Sequence, residues 1–306
     1  MFRFIVRRLL EGLPVLIGVS LITFILMHVV PGDPVTASFE KRTDPATIER
    51  IRKEMGLDRP IPVQYAEFVY KAVQGDLGQS FRTKEPVTKM IARAFPMTVR
   101  LALSAMTVAL LLGIPFGMLA ALRQHSWIDY MATITTLSFI SAPVFWVAII
   151  AQIVFGLKLD LLPISGYEGW NYMILPAVVL GSRYAASIAR YTRGSMLEVL
   201  NQDYVRTARS KGLAERLVIW KHALKNALVP LLTVIGLEIG GLLTGSILTE
   251  SVFGLPGIGL LTIQGLNWRD FPLIEGNVLF TATIFVLANM AVDIGYSLVD
   301  PRIRTA

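Results

Sequence analysis

The sequence predicts an all-α membrane protein with six transmembrane helices. Three observations carry that prediction. The 306-residue chain is 54% hydrophobic and only 17% charged, against about 25% charged residues in a soluble domain. Six apolar stretches are long enough to cross the bilayer, which takes ~20 residues for about 30 Å of hydrocarbon. The basic residues gather at alternate ends of those stretches rather than on one face, as topology signals do.

The spans read as Leu9–Val30, Met97–Leu122, Met131–Leu157, Tyr172–Ala189, Ala227–Leu248 and Val278–Val299. Arg3, Arg7 and Arg8 precede the first, and Arg123 lies between the second and third. Arg190, Arg193, Arg206, Arg209, Lys211, Arg216, Lys221 and Lys225 separate the fourth from the fifth, and Arg302 and Arg304 follow the last. The opposite short loops hold only Lys158 and Arg269. Both termini and loop 190–226 are therefore expected in the cytoplasm. Segment 31–96 is expected outside, because loops that long translocate largely regardless of charge.

Taken in order, 1–30 is a cytoplasmic start and first span. Its apolar run is long and ends in His28-Val29-Val30-Pro31 without small residues for cleavage, so it reads as a retained anchor. Segment 31–96 reads as folded. Asp44-Pro45 starts a helix whose stripe is Ile48, Ile51 and Met55 and whose end is Gly56. Gly75-Asp76-Leu77-Gly78 reads as a turn. Val87, Met90, Ile91, Ala94 and Phe95 recur at helical spacing. They either lie along the outer interface or begin the second span. Residues 97–300 form the membrane core and 301–306 the cytoplasmic tail.

Catalytic chemistry is missing. No Gly-x4-Gly-Lys-Ser/Thr phosphate loop occurs. There is no cysteine, and the 3 histidines are scattered, too few for a typical zinc site. The chain is expected to be no enzyme, to hold no cofactor or metal, and to bind no nucleic acid. Gly254, Pro256, Gly257 and Gly259 lie in a glycine-rich stretch without a following lysine, and read as an external turn or gate.

Charges inside spans are costly and mark function by default. Glu11 is near enough to the cytoplasm to snorkel. Arg183, Glu238 and Asp293 remain, either lining a translocation path or forming structural ion pairs. Glu238 is flanked by Gly236, Gly240, Gly241 and Gly245, whose spacing permits close helix approach. Pro14, Pro115, Pro143 and Pro176 lie inside spans and are expected to kink them.

Asp203–Leu213 reads as a short cytoplasmic helix stopped by Gly212 in a left-handed conformation. Tyr204, Ala208 and Lys211 share a face, and Arg206 and Arg209 project elsewhere. A second helical run, Ala214–Lys221, leads into span five. Such a basic pair of helices suits protein docking, the alternative being a loop held by anionic lipid.

Arg206-Thr207-Ala208-x3-Gly212 has the spacing of the Glu-Ala-Ala-x3-Gly element that docks the ATPase in bacterial ABC importers, with Arg-Thr in place of Glu-Ala. The following His222-Ala-Leu-Lys-Asn-Ala-Leu-Val-Pro230 departs from the general importer pattern. With Phe2-Arg-Phe-Ile-Val-Arg-Arg8, Pro31-Gly-Asp-Pro34, Gly56-Leu-Asp-Arg-Pro60, Gly75-Asp-Leu-Gly-Gln-Ser-Phe81, Arg190-Tyr-Thr-Arg-Gly-Ser-Met196, Gly254-Leu-Pro-Gly-Ile-Gly259 and Asp300-Pro-Arg-Ile-Arg304, the chain resembles the dipeptide/oligopeptide/nickel permeases of those importers, specifically the first of two paired permeases. The resemblance implies a fold of that type and ATPase coupling through Tyr204, Arg206, Thr207, Ala208, Lys211 and Gly212. It also implies a homologous second permease, two ATPase subunits holding ATP and Mg, an external binding protein and a bacterial inner membrane. The substrate would be a di- or oligopeptide, or alternatively glutathione, a nickel complex or an oligosaccharide. A secondary transporter or an intramembrane hydrolase would be the rival functions, but no internal repeat or catalytic pair supports either.

Overall fold

The computed structural model describes residues 2–29, 49–50, 52–53 and 58–299. The expected helix from Asp44 to Gly56 and the tail 301–306 fall wholly or largely outside these residues. The described helices are α1 (Phe2–Val29), α2 (Ile61–Val73), α3 (Val87–Leu122), α4 (Trp127–Ser141), α5 (Val144–Ala151), α6 (Asn171–Leu200), α7 (Asp203–Ser210), α8 (Glu215–Leu243), α9 (Ile247–Phe253), α10 (Ile258–Trp268) and α11 (Phe271–Val299). Five of them, α1, α3, α6, α8 and α11, are individually long and apolar enough to span a membrane.

The third expected span, Met131–Leu157, is not one straight helix. It is α4 followed by α5 and a π-helical segment Gln152–Lys158, bent by 101°. The break is Ala142-Pro143: Ala142 is extended, with φ −70° and ψ 132°, because proline excludes the helical region for the residue before it. Pro14, Pro115 and Pro176 sit inside helices that continue through them. Span five also ends earlier than Leu248. The helix stops at Leu243, and Gly245 turns at φ 98°. A Cβ on Gly245 would lie 3.0 Å from the Gly259 nitrogen, so a side chain there would oppose the turn that seats α9 against α10.

The stripe at 87–95 begins α3 and does not form a separate interfacial helix. Val87, Met90, Ile91 and Ala94 are buried against Ile258, Leu261 and Leu273. At 36 residues α3 is far longer than a bilayer requires, roughly 54 Å at 1.5 Å per residue. Its outer turns therefore rise beyond the hydrocarbon and carry α10 and the start of α11.

The centre of the molecule is the α3–α6 pair, its most extensive helix contact. A Cβ on Gly113 would lie 2.7 Å from the Ala185 carbonyl oxygen, and one on Gly181 2.6 Å from that of Ala105. Gly117 meets the Ala189 carbonyl in the same way. Small residues one turn apart thus bring two backbones together, as in other membrane seams. Around them Leu101, Ala105, Leu180, Ile188, Leu231 and Phe253 form the core. The outside is apolar: Leu10, Ile17, Ile22, Leu111 and Phe116 are all exposed, which lipid tolerates and water does not.

Candidate functional site

The loop between α6 and α8 is a small built unit. Val205 and Ala208, one turn apart on α7, are buried against Val218. Their burial turns Tyr204, Arg206, Thr207 and Lys211 outward. Ala208, expected to share a face with Tyr204 and Lys211, is buried where they are exposed; it anchors α7 from beneath, together with Val205.

The C-terminal end of α7 is held as the sequence suggested. Lys211 caps the helix, and Gly212 follows at φ 74°, donating its N–H to the Arg209 carbonyl at 2.9 Å. Across that turn, Arg209 donates from Nε and Nη2 to Glu215 at 3.2 and 2.8 Å. This hydrogen bonding raises the Arg209 guanidinium above its ordinary pKa. Asn226 Nδ2 donates to the Tyr204 hydroxyl at 2.9 Å, so α8 is tied to α7 at two points. Arg206 bridges to Asp203 at 3.2 Å on the exposed side.

Beside α6 and α8 lies an open cavity of about 450 Å³ lined by Arg183, Tyr184, Ser187, Arg190 and Glu238, with Ile247 and Leu248 at its rim. Ser187 Oγ donates to Glu238 Oε1 at 3.2 Å. The glycines around Glu238 explain its direction. Gly236 and Gly240 face α11, where Val292 and Ala288 pack on them. Two residues along a helix is about 200° of rotation, which points Glu238 at α6. Arg183 and Glu238 line this same cavity without an ion pair between them, whereas Asp293 lies elsewhere: its carboxylate pairs with Arg8 on α1 at 3.3 Å. Glu11 pairs with Arg7 and Arg8 at 3.0 and 3.4 Å.

The glycine-rich turn joins α9 to α10, bent by 86°. Gly254 caps α9 at φ 65°. Glu250, which sequence reasoning did not single out, is fully buried. It accepts from the N–H groups of Gly259 and Leu260 at 2.6 and 3.1 Å and from Thr98 Oγ1 at 2.9 Å. Those N–H groups open α10, where a helix favours negative charge. A Cβ on Gly257 would collide with the Glu250 carboxylate, whereas Pro256 is exposed. The turn is thus a carboxylate-capped joint locked onto α3. Asp270 makes a second such joint. It caps α11 and takes hydrogen bonds from Ser80 Oγ and the Phe81 nitrogen, fastening the Gly75–Phe81 stretch. For Asp270 the available signal was an acid directly before Phe271-Pro272, the pattern of a helix start; Glu250, inside α9, carried no such signal.

Comparison with known proteins accords with this architecture. Residues 113–305 match the model of the family described as "Binding-protein-dependent transport system inner membrane component", and residues 1–102 match its N-terminal counterpart. The dipeptide transport system permease protein DppB of Alkalihalophilus pseudofirmus is 40% identical, covering 99% of this chain and 100% of that protein. The glutathione transport system permease protein GsiC of Pectobacterium atrosepticum is also 40% identical, over 99% of each chain. An inward-facing structure of the MetNI methionine ABC transporter shares the fold, with a TM-score of 0.57 at 16% identity, over 69% of this chain and 96% of that one. The chain belongs to the inner-membrane permease family of binding-protein-dependent transport systems.

Proposed function

We propose that this permease imports di- or oligopeptides as half of a heterodimer with a homologous permease. Two ATPase subunits, carrying ATP and Mg, drive it from the cytoplasm, and an external binding protein delivers the substrate. The membrane is the bacterial inner membrane, with both termini inside. The observation that supports this reading is a short helix, α7, with an exposed polar face, fastened to the same helix, α8, that presents Glu238 to the membrane cavity. Movement imposed on α7 reaches the cavity through Asn226 and Glu215. Substrate is delivered and ATP is cleaved by other subunits, so this chain supplies the path and the lever. Lipid covers its apolar outer faces.

Arg183 and Glu238 offer one cation and one anion, which suits the two charged ends of a peptide. The glutathione reading has support of its own, since a relative so named is 40% identical and glutathione is itself peptide-like. Glu238→Gln keeps the shape and removes the charge. Losing one charged hydrogen bond costs about 1.5–3 kcal/mol, so uptake should fall roughly tenfold or more while the subunits still co-purify. Unchanged uptake at normal expression would remove Glu238 from the path.

Sidedness has a simple test, because the chain has no cysteine. Ser80 is buried and bonded to Asp270, which makes it a poor reporter; Gln74 and Ser210 are exposed. A cysteine at Gln74 should react with an impermeant thiol reagent in intact cells, and one at Ser210 only after lysis. Labelling of both from outside would overturn the topology.

A further inference from the structure

A second cavity, of about 500 Å³, lies at the other end of the molecule from α7, beside α2 and the 76–86 stretch. Its walls come from α1, α2, the 76–86 stretch and the start of α11. Glu275 lines it, is only 7% exposed and makes no hydrogen bond or ion pair among the described residues. A buried carboxylate without a partner is costly, and glutamine would fill the same space without the charge.

The neighbouring polar groups are engaged elsewhere. Lys71 pairs with Glu67 at 2.9 Å, and that ammonium holds the Glu67 carboxyl below its usual range. Asp76 accepts from the Gly78 N–H at 2.9 Å. His28 is bonded to the Phe24 carbonyl and to Gln64 Oε1. Lys84 is exposed and forms no ion pair with Glu275. Glu275 therefore presents to the cavity a carboxyl with no cation beside it, which a bound ammonium would hold in its charged form.

The remaining wall is aromatic. Phe24, Phe68 and Phe271 all line it. Phe24 and Phe68 lie 6.5 Å apart, and Phe271 lies 5.9 Å from the His28 ring. Ring faces attract cations and accept apolar stems. No cluster of three or more His, Asp and Glu suited to a metal occurs among the described residues, and Ca²⁺ takes six to eight oxygen ligands. An anion would meet Glu275. We propose that Glu275 is the charged end of a binding site for a primary alkylammonium group that enters from the side of segment 31–96, with its apolar stem along Phe24, Phe68 and Phe271. The site is separate from the α6–α8 cavity and does not depend on the substrate proposed for it.

The test uses the full-length chain in lipid nanodiscs, with n-butylammonium chloride as the probe and n-butanol as its neutral counterpart. n-Butylammonium should raise the melting temperature of the wild type by several degrees, as ligands that bind only the folded state do. n-Butanol should not, and Glu275→Gln should not respond to either. The same amine should slow modification of Glu275 by dicyclohexylcarbodiimide several-fold, read by peptide mass mapping. An equal shift in Glu275→Gln, or unaltered modification with no shift in the wild type, would overturn the site. A response appearing only in Lys84→Gln would assign the seat to the chain's own lysine and overturn an external ligand. If the cation is instead a lysine of a docking protein, n-butylammonium should still bind and that protein should displace it.

Discussion

Gly117→Val is expected to be the most damaging single substitution in the membrane core. Gly117 lies where α3 meets α6, and any Cβ there collides with the Ala189 carbonyl and comes within 3.0 Å of the Ala189 Cα. The obstacle is backbone, so no side-chain rotation relieves it, and the helices must separate. Separation would also loosen Gly113 and Gly181, which close the same seam. Overpacking typically costs 1–3 kcal/mol, occasionally more, and a seam that cannot repack belongs at the upper end, about 3 kcal/mol. Subunit abundance in the membrane fraction and the melting temperature of the purified protein should both fall. Gly18→Val is the control: nothing lies within 4 Å of its Cβ, so both quantities should stay near wild type. Normal abundance and melting of Gly117→Val would mean that the α3–α6 seam is looser than described.

Much of the fold was legible because membrane helices advertise themselves by length and hydropathy. Five of the six expected stretches correspond to individual helices, with ends displaced by a few residues to more than ten. The remaining one, the third, 131–157, failed as a straight helix at Pro143, whose preceding residue is forced out of the helical region. Three other span prolines did not break their helices, so proline alone was ambiguous; Ala142 and Pro143 lie where the chain also turns to meet α9. The seam at Gly113, Gly117 and Gly181 went unread. Small residues spaced by four carry a signal, but which helix they face is decided by tertiary packing. The same limit applies to ion pairs. Arg193 counted as a topology charge, yet it forks onto the buried Asp129 at 2.6 and 2.7 Å, joining α6 to α4.

At the candidate site, the stop at Gly212 followed from spacing, while Arg183, which the sequence allowed to pair with Glu238 or Asp293, lines a cavity with Glu238 and pairs with neither. The inward turn of Ala208 and the capping by Glu250 did not, because both depend on partners distant in the sequence. Asp293 shows the reverse. Its burial in an apolar stretch marked it as a path residue, while the structure gives it Arg8 as partner.

Gly212→Val is the counterpart in function, with a large effect on transport and a small one on stability. Gly212 holds φ at 74° with open space around its missing Cβ, so the penalty is purely conformational. A left-handed residue other than glycine costs ~1–2 kcal/mol, and a β-branched one more. The turn could escape that cost by rotating α7 away from Glu215 and Asn226, which breaks the link from docking surface to cavity and leaves the spans in place. Arg206→Glu, on the exposed side, reverses a charge on the face proposed to dock the ATPase. The deciding measurement takes the assembled transporter in proteoliposomes and reads ATPase co-purification, ATP hydrolysis and peptide uptake together. Wild-type vesicles should take up peptide only with ATP and the ATPase subunits present. Gly212→Val should reach the membrane with its partner permease yet lose uptake, through weaker ATPase binding or hydrolysis without transport. Full uptake with full ATPase retention in Gly212→Val would contradict the assignment of α7 as the element through which ATP drives this permease.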